Sequence, residues 1–317
     1  MLVLNETQTR DALPWLPLIG AVEAMFKADC VTPVRHHHEV DVPGEAAATM
    51  LLMPAWVPGE HMGVKILNLF PDNHLRALPT IIGTYLLSSA RTGEMLAMVE
   101  GGELTARRTA ATSALAARYL AREDATTMLM VGAGRLALNL MQAHAAVRPL
   151  KRFTVWARSP DKAEACAAEA RALGLDATAG ADLAAAAGDA DIISCATLSR
   201  DPLIRGQWLR PGTHLDLVGA FKPDMRESDD DCIARALVFV DTRAGAMKEG
   251  GDIVQPLKSG LLIADAIRAE LAELVTGSRR GRQSAQEITL FKSVGAALED
   301  LAGAILAFRQ AGGGAEA

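Results

Sequence analysis

Along the second half of the chain, short apolar runs alternate with stretches whose apolar residues recur every three or four positions. "TTMLMVGAG" is a buried-type strand running into a glycine turn, and "RLALNLMQAHAAV" has the period of a helix. "RFTVWARS" predicts a second strand, and "PDKAEACAAEARALG" its helix, with Pro160 at a first helical turn. "DATAG" is a candidate third strand, and "DIISCAT", "THLDLVGA" and "ALVFVDT" continue the series. Strands alternating with helices in this way predict a parallel sheet with helices on both faces.

Before about residue 120 the pattern is different. "DALPWLPLIGAVEAMFKA" places apolar residues at helical spacing. "AATMLLMPAWVP", "HMGVKILNLF", "LPTIIGTYLLSS" and "TGEMLAMVEG" read as strands separated by Pro, Gly and charged turns. "ELTARRTAATSALAARYLAR" predicts a long helix with Thr105 as a candidate cap. After about residue 280 come a loop, a short strand or turn, and a long amphipathic helix. The expected organisation is α/β: a Rossmann-type, doubly wound parallel sheet at 121–290, inserted into a smaller α+β domain made of 1–120 plus 291–317. No internal repeat is found.

Composition narrows the classes. The 317 residues are half hydrophobic and 22% charged, an ordinary globular balance. The net charge of −6 offers no basic field for nucleic acid or anionic lipid. No apolar run approaches the length of a membrane span. The start, "MLVLNETQTRD", lacks the pattern of a secretory signal. The four cysteines form no C-x-x-C pair and read as free thiols, which fits a reducing cytoplasm.

The sharpest chemical signal is "MLMVGAGRLALN", with Gly132-x-Gly134-x-x-Ala137. The motif is weak alone, but here it follows a buried strand and opens a helix, as dinucleotide binding requires. Gly132 permits the tight turn, Gly134 lets a pyrophosphate approach the backbone, and Ala137 keeps helix close to strand. The bland alternative is a tight turn with no ligand. At the end of the second strand, an acid would bond a ribose 2′-hydroxyl and select NAD. Arg158 and Ser159 stand there instead, suiting the 2′-phosphate of NADPH, with NADH a second option. A solvated surface arginine is the competing explanation.

Three cations stand out elsewhere: Arg35, Arg108, and Lys65 inside the apolar "MGVKILNLF". A lysine in an apolar strand is expensive unless paired. Such cations suit a carboxylate substrate, although intramolecular ion pairs would explain each of them singly. In "RHHHE", His36, His37 and His38 alternate sides of an extended segment and do not converge on one ion, so no metal site is expected. The acidic run "RESDDDC" reads as a solvated helix start.

Taken together, "TPVR", "GVKILN", "LPTIIG", "ELTARRTAATSALAARYLAR", "VGAGRLA", "THLDLVGAF", "KEGGDI" and "GRQSAQEITLFKSVGAALEDLA" resemble the ornithine cyclodeaminase/mu-crystallin family over nearly the whole chain. The resemblance implies a Rossmann domain inserted into a domain that binds substrate and forms a homodimer. It assigns Arg35, Lys65 and Arg108 to the substrate carboxylate and reaction centre, with Lys65 and Arg108 catalytic. It puts Thr80 and Arg108 beside the nicotinamide, and Gly134 and Arg135 at the pyrophosphate. Thr197, Val218 and Gly219 line the cofactor groove in this reading, and Ser293 and Val294 close the pocket. Where cyclodeaminases carry a proton-handling Asp, "DLVGAFKPDMRE" has Phe221. That departure, with "VWARSP", is similar to the ketimine-reducing branch. It implies NAD(P)H-dependent reduction of Δ1-pyrroline-2-carboxylate, or its six-membered analogue, to L-proline or L-pipecolate. The alternatives are a cyclodeaminase, an amino-acid dehydrogenase of the family, and a cofactor-dependent ligand-binding protein of mu-crystallin type.

Overall fold

In the computed structural model, which describes residues 1–313, the chain divides into two compact units. One is Met1–Thr109 with Ala296–Ala317, and the other is Ala110–Gly295. In chain order the elements begin with β1 (Leu2–Leu4), α1 (Glu6–Asp11), α2 (Trp15–Lys27), β2 (His36–Val40), β3 (Ala48–Trp56), β4 (His61–Leu69), β5 (Ile81–Ser89), β6 (Met95–Glu100) and α3 (Gly101–Leu120). They continue with β7 (Thr127–Val131), α4 (Arg135–Val147), β8 (Arg152–Trp156), α5 (Pro160–Ala172), β9 (Ala177–Ala179), α6 (Leu183–Asp189), β10 (Ile192–Cys195), β11 (His214–Leu217) and α7 (Asp230–Arg235). The last are β12 (Leu237–Val240), α8 (Arg243–Glu249), α9 (Gly251–Ser259), β13 (Ala269–Glu270), α10 (Leu271–Val275), β14 (Thr289–Lys292) and α11 (Ala297–Gln310).

The first unit is a six-stranded sheet of order β1-β6-β5-β4-β3-β2. All neighbours are antiparallel except β1 and β6. Strand periodicity sorts its two faces. Met53, Lys65, Tyr85 and Val99 fall in register and are buried on one face, and α11 packs on this sheet. Leu52, Ile66, Val64, Leu86 and Met98 alternate with them on the opposite face and are only partly buried. Helix α2 buries Leu18, Ile19, Val22, Met25 and Phe26, a helical stripe, and it pairs with α11.

The helix expected in "DALPW…" begins only at Trp15, after Pro14, because proline is tolerated at a helix start and not in its interior. A separate short helix, α1, precedes it. The Asn5 side chain accepts from Gln8 N at 2.9 Å while the Gln8 side chain accepts from Asn5 N at 3.0 Å, a capping box. Thr105 is not a cap. Helix α3 starts four residues earlier, and the Glu100 carboxylate accepts from Gly102 N at 2.8 Å and Glu103 N at 2.6 Å.

The second unit is an eight-stranded, all-parallel sheet of order β13-β12-β14-β11-β10-β7-β8-β9. This is the Rossmann-type doubly wound sheet. Its core includes Leu129, Val131, Ile193, Leu215, Leu217, Val238, Val240 and Leu290. From β7 the chain winds outward through β8 to β9, then returns to the other side of β7 as β10 and β11. The strand order therefore reverses between β7 and β10, and the loops there diverge into the crevice where such sheets bind ligands. β14, late in the chain, slots between β11 and β12.

Candidate active site

In the first unit the three sequence-predicted cations gather around one buried cluster. The period-2 alternation of β4 turns Lys65 inward, where it is 1% exposed. Its Nζ lies 2.7 Å from Asp300 Oδ2 and donates to Thr105 Oγ1 at 3.4 Å. Arg108, on α3, donates from Nε to Asp300 Oδ1 at 2.8 Å and from Nη1 to Glu299 Oε2 at 2.5 Å. Glu299 and Asp300 stand in the first turn of α11, where the helix dipole favours anions. Arg35, half-buried just before β2, is close enough for its charge to be felt at Lys65.

Burial pulls the Lys65 pKa down to about 8, helped by Arg108 and Arg35 and opposed by Asp300. Burial also works against the Arg108 charge, but Asp300 and Glu299 outweigh it and raise its pKa. The Asp300 carboxyl is held below its usual range, because Arg108 and Lys65 overcome its burial. Lys65 and Arg108 thus share the two carboxylates of α11, and Arg35 brings a third cation near them. The two acids were not singled out in the sequence. Their signal was the "ED" pair in the first turn of a helix, separated from "SVG" by three residues. Thr80 lies exposed in the turn before β5, outside the strand that its apolar neighbours predicted.

In the second unit a cavity of about 430 Å³ opens at the carboxyl ends of β7, β8 and β10. It is lined by Gly132–Gly134, by Trp156–Ser159 and Lys162, and by Ala196–Ser199 with Leu203. Gly132 has φ +113°, and a Cβ there would meet Ala196 O at 2.7 Å, so this turn needs glycine. A Cβ on Gly134 would meet nothing within 4 Å. Gly134 is the N-cap of α4 and makes no side-chain cap, so the first amides of the helix carry no side-chain acceptor there. The residues present thus fit a dinucleotide phosphate over Gly134. Arg135 is exposed on the first turn of α4, and Ala137 is fully buried, keeping that helix against the sheet.

Arg158 is exposed at the rim, and Ser159 is the N-cap of α5 with its hydroxyl making no cap bond. Lys162, one turn into α5, adds a second cation that the sequence reading passed over. Thr197 lines the same cavity. Val218 and Gly219, on the loop after β11, do not line it, but Gly219 packs directly on Thr197. Ser293 and Val294 follow β14: Ser293 N donates to Leu217 O at 3.1 Å, and Val294 N to Asp241 Oδ2 at 2.7 Å. Phe221 is half-buried in the loop after β11. The run "RESDDDC" is only partly solvated: Asp230 and Asp231 are exposed, but Arg226, Glu227 and Ser228 are buried. Among the described residues no group of three or more His, Cys, Asp or Glu is arranged to hold a metal ion. Among the described residues no helix is long and apolar enough to cross a membrane.

The ornithine cyclodeaminase/mu-crystallin family profile matches residues 2–314. The chain belongs to this family. Within the family it is 43% identical over 259 residues to the Δ(1)-pyrroline-2-carboxylate reductase of Paracoccus denitrificans, covering 81% of this chain and 82% of that protein. Its fold superposes with a TM-score of 0.91 and 34% identity on the Thermococcus litoralis Δ(1)-pyrroline-2-carboxylate reductase, solved with NADH and L-proline, over 98% of this chain and 97% of that one. A second family-like fold, an archaeal alanine dehydrogenase dimer with bound NAD, superposes at 0.89 with 26% identity, over 98% and 96% of the two chains. Family membership and the Rossmann-type sheet, both expected from the sequence, are thereby established.

Proposed function

We propose that this family member reduces a cyclic ketimine carboxylate, Δ1-pyrroline-2-carboxylate first and its six-membered analogue second, to the corresponding L-imino acid with NAD(P)H. The observation that carries the reading is the buried Lys65–Arg108–Asp300–Glu299 cluster beside Arg35, with a lysine tuned to about 8. The likeness to named pyrroline-2-carboxylate reductases supports the substrate class. In this reading Arg35 and Arg108 hold the substrate carboxylate, Arg108 through the planar N–H fork of a guanidinium that Asp300 and Glu299 orient. Lys65 attracts the same carboxylate and gives a proton to the ring nitrogen, and Asp300 steadies its ammonium form. The nicotinamide supplies the hydride that the imine carbon accepts. Thr80, Val294 and Ser293 serve as accessory positions at the two ends of the reacting pair.

The unit Ala110–Gly295 acts as the dinucleotide-binding domain, with β14 wholly inside it where the expected cut at 290 would divide that strand, and the other unit acts as the substrate-binding and dimerisation domain. Gly134 and Arg135 receive the pyrophosphate at a turn that Gly132 makes and Ala137 keeps close to the sheet, Arg158 and Ser159 take the 2′-phosphate end, and Thr197, Val218 and Gly219 shape the cofactor groove. The sequence resemblance puts Phe221 where the cyclodeaminases of the family carry an acid, and an apolar ring can neither take nor return a proton. Ornithine is therefore not a substrate. The occupant of the apolar sheet face in the first unit is a second copy of this chain. Four free cysteines, three of them buried, suit a reducing cytoplasm.

The test is a substrate panel followed by NADPH absorbance: the two cyclic ketimines, ornithine, and pyruvate with ammonia or an amine. Consumption of NADPH with the ketimines alone is expected. Ammonia release from ornithine would overturn the reductase reading, and turnover of pyruvate with ammonia would point to an amino-acid dehydrogenase.

A further inference from the structure

The Glu227 carboxylate is fully buried, yet every donor it meets belongs to one of two loops at the carboxyl edge of the parallel sheet. Its Oε1 accepts from Thr197 N at 2.6 Å and from Thr197 Oγ1 at 2.8 Å, in the loop after β10. Its Oε2 accepts from Gly219 N at 2.8 Å and Ala220 N at 3.3 Å, in the loop after β11. The two loops touch: a Cβ on Gly219 would lie 2.0 Å from Thr197 O and 2.2 Å from Thr197 N. Only glycine allows that approach, so the carboxylate ties together two segments already in backbone contact.

The arm that carries Glu227 is itself held. Asp252 Oδ1, buried at the start of α9, accepts from Glu227 N at 3.0 Å, Ser228 N at 2.9 Å and Ser228 Oγ at 2.9 Å. Lys292, also fully buried, sets its Nζ 3.6 Å from Asp252 Oδ2 and partly balances the two acids. The Glu227 carbonyl accepts from Leu203 N at 2.9 Å and Ile204 N at 3.0 Å, which anchors the far end of the β10 loop. A buried carboxylate, two loops and a second carboxylate behind it are a costly arrangement for a surface turn. The cost is understandable if the loops must keep one shape at a ligand site, since Thr197 lines the cavity.

We propose that Glu227 is a positioning residue of the cofactor site, clasping the loop after β10 to the loop after β11 so that Thr197 and Gly219 present one fixed backbone to the dinucleotide. This rests on the dinucleotide reading above. It assigns a role to an acid that touches neither cofactor nor substrate and acts only through the groups it holds.

Glu227→Gln separates this role from general stability. An amide has one oxygen, so whichever way it turns, its NH2 faces the N–H donors of one loop and that half of the clasp opens. NADPH affinity, titrated with the full chain, should weaken about 10- to 100-fold, the loss usual for one hydrogen bond to a charged group. The KM for NADPH should rise by a similar factor, with the KM for ketimine little changed. Hydrogen exchange should quicken at the amides of Thr197, Gly219 and Ala220 and stay slow in β7, β10 and β11. Glu227→Asp, which keeps the charge and shortens the arm, should fall between wild type and Gln, and it replaces Gln in every measurement if the amide variant does not fold. Wild-type NADPH affinity in the variant would overturn the clasp, as would protection lost equally across the core strands. A wild type that binds neither NADPH nor NADH would overturn the cofactor reading, and this one with it.

Discussion

Lys65 carries its charge against its surroundings. Burial lowers its pKa from 10.5 to about 8, so the ammonium is present at neutral pH and is lost through about pH 8. If that ammonium binds the carboxylate and protonates the nitrogen, kcat/KM for ketimine reduction should fall above about pH 8 and proline oxidation should rise. A Lys65→Met variant should lose that limb and about 10- to 100-fold of its rate. A pH profile flat to pH 10 in the wild type would exclude Lys65 from both roles. The same shift has a stability consequence of fixed sign. Between about 8 and 10.5 the unfolded chain binds a proton that the folded chain does not, so Lys65 makes the protein more stable as pH rises through that window and less stable as pH falls through 8. Lys65→Met should remove this slope in urea titrations while leaving the protein folded, since Asp300 keeps Arg108 as a partner. At the other site, Arg158 and Lys162 flank Ser159 on one rim. Arg158→Asp should weaken NADPH about 10- to 100-fold and leave NADH similar, by loss of one charge-assisted bond to the 2′-phosphate. An unchanged ratio of kcat/KM for the two cofactors would mean that Arg158 only faces solvent.

The turn between β7 and α4 is an element whose sequence, backbone and cavity agree. Gly132 combines φ +113° with a carbonyl 2.7 Å from where a Cβ would sit. Gly132→Ala should therefore cost about 1–3 kcal/mol in denaturant unfolding, from strain and displacement together. Gly134→Ala, with open space around it, should cost little stability and should weaken dinucleotide binding. Unchanged dinucleotide affinity in Gly134→Ala would show that the open side of the turn has no ligand function. The strands β7 to β12 and the helices α4 and α5 were legible in this unit, including the short β9, whereas α8, α9, β13 and α10 were not read. Element ends were less so. The start of α3 was misread because its cap is a glutamate before two glycines, and glycine normally argues against a helix start. The helix α1 was missed because its capping box encloses six polar-rich residues with no apolar stripe to mark it.

On the first unit's sheet, the face opposite Lys65 carries Leu52, Val64, Ile66, Leu86 and Met98, half-buried and contiguous across four strands. An apolar face of this extent is normally covered, and a second copy of the same chain covers it with twofold economy. Light scattering should give twice the chain mass for the wild type, and Ile66→Asp should give a monomer. A monomeric wild type, or a dimer unaffected by Ile66→Asp, would mean another surface is used or none. The chain's own order of residues settled the Rossmann-type series, the glycine turn and the family, and it pointed to Arg158 at the turn's rim, because local period and turn chemistry are properties of short segments. It also drew attention to Lys65, since a lysine among apolar strand residues is anomalous wherever it ends up. Its partners were another matter. Asp300 and Glu299 come from a helix more than 190 residues away from Arg108, and no local rule brings them together. Glu227 was read as part of a solvated acidic run because three aspartates follow it. Folding instead turns it inward between two loops, where backbone amides supplied by distant strands give a buried carboxylate its partners. Burial and the identity of a charged group's partners are set by contacts between remote segments, and those exist only once the chain has folded.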